Sequence, residues 1–302
     1  MFSIKDYTRT ADVISYAGMK ILSENEIKSL QNIMLDILKD IMKVADKYDF
    51  HPIMAGGSAL GVVRHKGFIP WDDDIDMVIP RKECVAFIKA FEKEFSDKYI
   101  ISSPYGISQF VTPTIHIIAR NTKLVSLWSN KRIRPFGVAI DIVPLDYAPT
   151  NKLLYYIHGI ISCILLLVMN SKLMYMSRTK ISDKLFAINC KSRFFYFYRL
   201  SIGFIFSFIS YNHFVKLYDK WISLCKESKL ITIPAGRKHY FGETQPVDVF
   251  VPPLNAEFEN IQVYIPKEYK TYLKRIYGDD YMQIPPINKR EIHACVSFET
   301  SV

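Results

Sequence analysis

At 302 residues, with 49% hydrophobic and 23% charged side chains, the chain has the make-up of a folded protein of about two domain lengths, which excludes a wholly disordered tail, a collagen-like repeat and a coiled-coil rod. Its five cysteines (Cys84, Cys163, Cys190, Cys225 and Cys295) lie far apart with no C-x-x-C pair, arguing against a thiolate zinc site or a disulfide scaffold and for a reducing compartment. The formal net charge of +9 suits nucleic acid, an anionic membrane surface or an acidic substrate, and where the charge sits decides among them.

The opening MFSIKDYTRTADV breaks its apolar residues with Lys5, Asp6 and Arg9, so it lacks the apolar run of a secretory signal and a cytoplasmic active part is expected. From Ser23 to about Tyr48 the residues Ile27, Leu30, Ile33, Met34, Ile37, Leu38, Ile41 and Val44 follow a helical period, and Ser23 with Glu26 forms a capping box. From Phe50 to about Tyr147 short apolar runs (PIMAGG, IDMVIP, TIHIIAR, GVAIDIVPL) alternate with Gly, Pro and Asp punctuation, and 81–95 reads as a helix. That pattern predicts an α/β core. From Lys152 to about Lys229 the composition changes: 153–169 carries no formal charge and 194–211 only Arg199. Pro-punctuated strands return from Pro234 to Pro286, followed by a helix over 267–277 opened by Pro266 and stopped by Gly278. The expected organisation is an amino-terminal segment (1–22), a catalytic core (23–150), a helical apolar insertion (151–230) and a closing subdomain (231–302).

The most informative run is Trp71-Asp72-Asp73-Asp74-Ile75-Asp76-Met77-Val78-Ile79-Pro80. In an extended chain, side chains two apart share a face, so Asp72, Asp74 and Asp76 would line one surface opposite Ile75 and Met77. Two ionised carboxylates about 5 Å apart repel by roughly 3 kcal/mol at an effective dielectric near 20, so such a row calls for a cation or raised pKa values. An all-oxygen donor set without thiolates favours Mg²⁺, with Mn²⁺ as the other choice; an exposed acidic turn is the bland alternative.

Upstream, Ile53 to Gly61 reads as a strand, a Gly-Gly-Ser turn and a helix start, where Gly57, Ser58 and the helix amino terminus could cradle a phosphate or simply form a strand-to-helix turn. Arg64 and His65 follow within two helical turns as further candidate donors, Arg64 the better by its forked geometry. Downstream, Asp141 stands alone inside the apolar strand 138–144. It either completes the carboxylate cluster, orienting or deprotonating an attacking hydroxyl, or pairs with Arg132 or Arg134.

Taken together, AGGSALGVVRHKGFIPWDDDIDMVIPR (55–81), GVAIDIVPLDY (137–147) and FENIQVYIPKEYKTYLKRIYGDDYMQIPP (258–286) closely resemble the signatures of the LicD family, which includes fukutin-related proteins. The resemblance implies a nucleotidyltransferase-like core, a Gly-Ser turn at Gly57 and Ser58, an acid–hydrophobe–acid pair at Asp74 and Asp76, and a third acid at Asp141. The resemblance also implies that Asp72, the first acid after the tryptophan, joins the metal environment. The implied activity is Mg²⁺-dependent transfer of a phospho-alcohol, most often phosphocholine from CDP-choline, to a hydroxyl of a cell-surface glycan, free or lipid-linked. Transfer of ribitol phosphate, phosphoethanolamine or a nucleotidyl group, and a non-catalytic membrane scaffold, are the alternatives.

The stretch 153–169 is marginally long enough to span a bilayer, and 194–211 is comparable but for Arg199. Between them Lys172, Arg178, Lys180, Lys184, Lys191 and Arg193 face the single acid Asp183, which would put a basic loop on the disfavoured side of a membrane hairpin. Attachment to an anionic cytoplasmic membrane surface is the preferred expectation, with burial in the core or in an oligomer interface beside it. With the charge beside apolar helices and no reading module, nucleic-acid binding is not expected.

Overall fold

The computed structural model describes residues 11–105, 107, 109–290 and 292–300. The first ten residues of the expected 1–22 segment, most of the MFSIKDYTRTADV opening, lie outside them. In chain order the elements are α1 (Ala11–Ala17), β1 (Lys20–Ile21), α2 (Glu24–Tyr48), β2 (Ile53–Met54), α3 (Gly56–His65), β3 (Asp76–Pro80), α4 (Arg81–Phe95), β4 (Tyr99–Ser102), β5 (Ile115–Ala119), β6 (Lys123–Val125) and β7 (Ala139–Ala148). Next come α5 (Lys152–Met176), α6 (Lys180–Phe186), α7 (Cys190–Ile205), α8 (Tyr211–Ile222), β8 (Leu230–Thr232), α9 (His239–Glu243), β9 (Gln245–Pro246), β10 (Leu254–Phe258), β11 (Ile261–Ile265), α10 (Tyr269–Tyr277), β12 (Ala294–Cys295) and β13 (Ser297–Glu299). The architecture is mixed α/β, as its alternating pattern predicts.

The central sheet runs β10-β11-β2-β3-β7-β5-β4, with β8 and β9 added on β7, so strands from 53–148 and from 230–265 share one sheet. The pair β3–β7 is parallel while β2–β3 and β5–β7 are antiparallel. Strands β3, β5 and β7 read as near-continuous apolar runs because both faces of the sheet are covered, and Met77, Val78, Ile79, Ile115, Ile117, Ile140 and Ile142 are all buried. Helix α2 begins where the capping box predicts: the Ser23 hydroxyl accepts from the Glu26 N–H, and the Glu26 carboxylate accepts in return from the Ser23 N–H. Its buried stripe, Leu30, Met34, Ile37, Leu38 and Ile41, joins the core of the sheet.

Two boundaries differ from expectation. The acidic run is not one strand: β3 begins at Asp76, and 72–75 is irregular, with only Ile75 O, which accepts from the Asp141 N–H at 3.2 Å, continuing the ladder. The last helix starts at Tyr269 rather than 267, with Glu268 at the position before it making no side-chain cap, and stops at Gly278, whose φ of 98° lies in the region that glycine enters without a Cβ clash.

Helices α7 and α8 both pack on α5, α8 through a separate apolar cluster containing Leu166, Met169, Phe214, Val215 and Tyr218. Arg81, the first residue of α4, ties that cluster to the sheet: it pairs through two nitrogens with Asp146 of β7 and through a third with Asp219 of α8 at 2.7 Å.

Candidate active site

The local fold concentrates the candidate residues at one edge of β2, β3 and β7. Strand β2 turns directly into α3 through Ala55, whose N–H donates to Asp76 O at 2.9 Å. Gly56 sits in the left-handed region at φ 52° and donates its N–H to the Tyr272 hydroxyl at 2.9 Å. The buried Ser58 hydroxyl accepts from the Asp76 N–H at 2.9 Å, locking the start of α3 to the start of β3. Ser58 is thus a structural tie, though its own O–H remains a potential donor.

Two carboxylates converge on this helix start. A Cβ on Gly57 would lie 2.9 Å from Asp72 Oδ2, and one on Gly56 would lie 3.5 Å from Asp76 Oδ2. The glycines therefore leave the space those side chains use, beside the positive end of a helix dipole that favours them. Asp76 is in turn the register partner of Asp141 across the parallel β3–β7 pair, so the two acids stand on one face of neighbouring strands about 4.8 Å apart. Asp74 is exposed on the intervening loop, and Tyr277 feels Asp72, Asp76 and Asp74 together.

Beyond Asp141 the row continues into two residues that sequence reasoning missed or left as an alternative. His116 is its register partner on β5, and the His116 Nδ1 meets Asp141 Oδ1 directly, while His116 Nε2 contacts the Thr114 hydroxyl at 3.0 Å. Arg134 approaches His116 Nδ1 at 2.9 Å and Asp141 Oδ1 at 3.9 Å, so the Arg134 pairing considered for Asp141 exists, alongside its place next to Asp76. Although burial acts the other way, the charge and hydrogen bond of His116 and the charge of Arg134 hold the Asp141 carboxyl below its ordinary value. Burial, reinforced by Arg134, keeps His116 below its ordinary value despite Asp141. The His116 signal was available: a lone polar residue within the apolar strand 115–119, the same signal that singled out Asp141.

Arg64 and His65 take different places from the ones expected of phosphate donors. Arg64 spends one guanidinium nitrogen on the Tyr281 and Gln283 carbonyls, at 2.9 and 3.1 Å, and so clamps the carboxy-terminal segment. It still contributes positive charge toward Tyr277 and Asp72. His65 stacks edge-on against Trp71, its Nε2 is buried without a hydrogen-bond partner, and burial followed by the Arg64 charge holds it below its ordinary value. The half-buried ring thus packs on Trp71, with its Nδ1 facing the Arg64 Nε at 3.4 Å.

The carboxy-terminal tail supplies the other unexpected neighbours. Arg290 lies over the Trp71 ring at 4.1 Å, and His293 meets the Asp73 carboxylate while its Nε2 lies 3.7 Å from Asp72. Among the described residues, the three metal-capable ligand atoms that fall within 4.8 Å of one another belong to Asp72, Asp73 and His293. That trio shares only Asp72 with the carboxylate set read from sequence. Tyr277, raised by its burial and by Asp72, Asp76 and Asp74 against the opposing charge of Arg237, stays protonated, with the Arg237 guanidinium 5.4 Å above its ring.

Comparison with known proteins adds two findings. Residues 51–131, which hold α3, the acidic loop and His116, match the family model described as LicD/FKTN/FKRP, nucleotidyltransferase domain. Over 271 residues, covering 88% of this chain and 95% of the relative, the sequence is 26% identical to the lipopolysaccharide cholinephosphotransferase LicD of Haemophilus influenzae.

Proposed function

We propose that the chain is a LicD-type transferase moving phosphocholine from CDP-choline to a hydroxyl of a lipopolysaccharide-type glycan, a reading supported by the family-model match over 51–131 and by the similarity to a lipopolysaccharide cholinephosphotransferase. The observation that carries the reading is the register pairing of Asp76 with Asp141 beside the amino terminus of α3. Transfer of a substituted phosphoryl group needs charge neutralisation and alignment more than a protein nucleophile, and this row supplies fixed carboxylates, a helix start and neighbouring cations. The near-complete coverage of a relative named for the same chemistry supports the donor and acceptor classes.

The donor chemistry suits a hard divalent cation: the expected set is all oxygen, and two adjacent carboxylates repelling by roughly 3 kcal/mol are relieved by one. Asp72, Asp74, Asp76 and Asp141 are the acids assigned to Mg²⁺, or Mn²⁺, which would supply neutralisation of the diphosphate charge; of these the sheet sets Asp76 and Asp141 side by side, whereas among the described residues the three ligand atoms close enough to share one ion belong to Asp72, Asp73 and His293. The protein's own groups do the rest. Gly57 and Ser58 begin α3 where free helix N–H groups and the dipole favour a phosphate. Asp141, kept ionised by His116 and Arg134, accepts the proton of the acceptor hydroxyl. The hydroxyl oxygen then bonds to the phosphorus carrying choline, the bond to the bridging oxygen breaks, and CMP departs with that oxygen.

Incubation of the purified protein with Mg²⁺, lipopolysaccharide and, in parallel, CDP-choline, CDP-ethanolamine or CDP-ribitol tests this. CMP release with a phosphocholine-bearing product, fastest for CDP-choline and abolished by EDTA, is expected. A cytidylylated product, or release indifferent to EDTA, would count against it.

A further inference from the structure

We infer that the α5–α7 unit is a docking surface for an anionic lipid bilayer, lying along the membrane plane rather than crossing it. This rests on the surface of the insertion alone and is independent of the reaction assigned to the acidic row. Helix α5 is the one described helix long and apolar enough to cross a membrane, yet only 33% of its most apolar stretch is buried in the protein. Leu153, Ile157, Ile160 and Ile164 recur at steps of four, three and four, which places them on one stripe, and all four are exposed. On α7 and just past its end, Phe194, Phe197, Phe204 and Phe208 repeat the pattern, with Phe194 76% and Phe208 81% exposed. Two such exposed apolar stripes on helices that pack against each other point to an interaction site.

Charge identifies the occupant. Residues 152–229 contain 12 Lys and Arg against 3 Asp and Glu, a net +9, which equals the net charge of the whole chain; the remainder is neutral. Lys152, Lys180, Lys184, Lys191, Arg193 and Lys216 are all exposed. Exposed apolar residues with exposed cations beside them in the chain, Lys152 before Leu153 and Lys191 and Arg193 before Phe194, match an interfacial helix on an anionic surface.

The opposite side of α5 is committed to the protein, which rules out a lipid-surrounded span. Lys172 is buried and donates to the Phe206 and Ser207 carbonyls, each at 3.0 Å, and Gly203 of α7 lets the Ser171 backbone approach closely. Buried His158 contacts the Tyr240 hydroxyl at 2.9 Å and the Trp221 carbonyl at 3.1 Å. Gly159 lies against Tyr240 and Phe241 of α9, and Arg275 of α10 in turn donates to the Phe241 and Gly242 carbonyls. The exposed stripe is thereby linked, through α9, to the helix that brings Tyr272 and Tyr277 to the candidate site, a fitting arrangement for an acceptor held at a membrane.

The test is flotation of the full-length protein with vesicles of phosphatidylcholine alone or of phosphatidylcholine with phosphatidylglycerol, read as bound fraction, with sedimentation of the lipid-free protein alongside. Wild type should float with the anionic vesicles, less so at high salt, and only weakly with the zwitterionic ones. F194S/F208S, which alters side chains that touch little of the protein, should weaken binding about tenfold or more, and so should K191E/R193E. Equal recovery with and without anionic lipid, or wild-type binding by either double variant, would overturn the inference. A lipid-free dimer that F194S/F208S dissociates would also overturn it, in favour of a second copy of the chain as the occupant.

Discussion

At Gly57 one added methyl group would decide where Asp72 can sit. The backbone there is ordinary helix, so alanine would normally add stability, about 0.5–1 kcal/mol, but its Cβ would press within 2.9 Å of Asp72 Oδ2. The obstructing atom is the end of a side chain that can swing away. We therefore expect G57A to melt within a few degrees of wild type while CMP release falls about tenfold or more; unchanged turnover would show that Asp72 has no part in the reaction. A second residue-scale expectation concerns Glu243, which burial pushes up to about 7 and whose Oε2 has no hydrogen-bond partner. Its folded value exceeds the ordinary 4.5, so the folded state binds more protons than the unfolded one and stability falls as pH rises from about 4.5 through about 7. The full loss is about 3 kcal/mol above that window. E243Q removes it, so the melting temperature of the variant should exceed that of wild type by more at pH 8 than at pH 5. An equal difference at both pH values would contradict a raised Glu243. At this scale Asp72, Asp76 and Asp141 were legible as acids that need a reason. Arg64 and His65 carried the right chemistry but the wrong surroundings, because whether a guanidinium faces substrate or a backbone carbonyl depends on the remote Tyr281 and Gln283, 217 and 219 positions away.

Among the elements, those defined by local periodicity were readable in the chain and those defined by pairing were not. The Ser23 cap and the apolar stripe of α2 are set by side chains within one or two turns, and the helix appears where they place it. Strand β3 is shorter than its run of acids suggests because consecutive ladder partners exist only from Asp76 to Pro80, opposite 141–145 of β7. Nothing local marks the point, Asp76, at which the ladder with β7 begins. The tail is another case: β12 pairs with β1 and β13 with β6, so residues 294–299 are held by segments at 20–21 and 123–125 that carry no matching signature. Arg81 offers an element-scale test, since it joins α4, β7 and α8 through the nearly buried Asp146. R81A leaves that carboxylate without its partner and should cost about 3–5 kcal/mol in urea denaturation at pH 7, whereas D219N keeps the bidentate pair and should cost about 1 kcal/mol or less. Similar losses in both variants would mean that the insertion, rather than the Arg81–Asp146 pair, holds the junction.

For the whole molecule, the order β11-β2-β3-β7-β5 is what turns scattered motifs into a site. It sets the β2–α3 turn against β3, Asp76 against Asp141, and Asp141 against His116, although from Ala55 to Asp141 these residues span 87 positions of chain. The α/β class follows from alternating patterns, but strand order is a matter of long-range contacts that no window of sequence contains, and so His116 and Tyr277 could not be placed. The helical insertion adds a second face with its own chemistry, apolar and cationic, connected to the site through α9 and α10. The most direct measurement is the rate of CMP release from CDP-choline, with lipopolysaccharide as acceptor, for D141N beside wild type. A folded D141N should lose activity by a factor on the order of 10² or more, while a folded D141N turning over at the wild-type rate would remove Asp141, and with it the paired-carboxylate centre, from the chemistry.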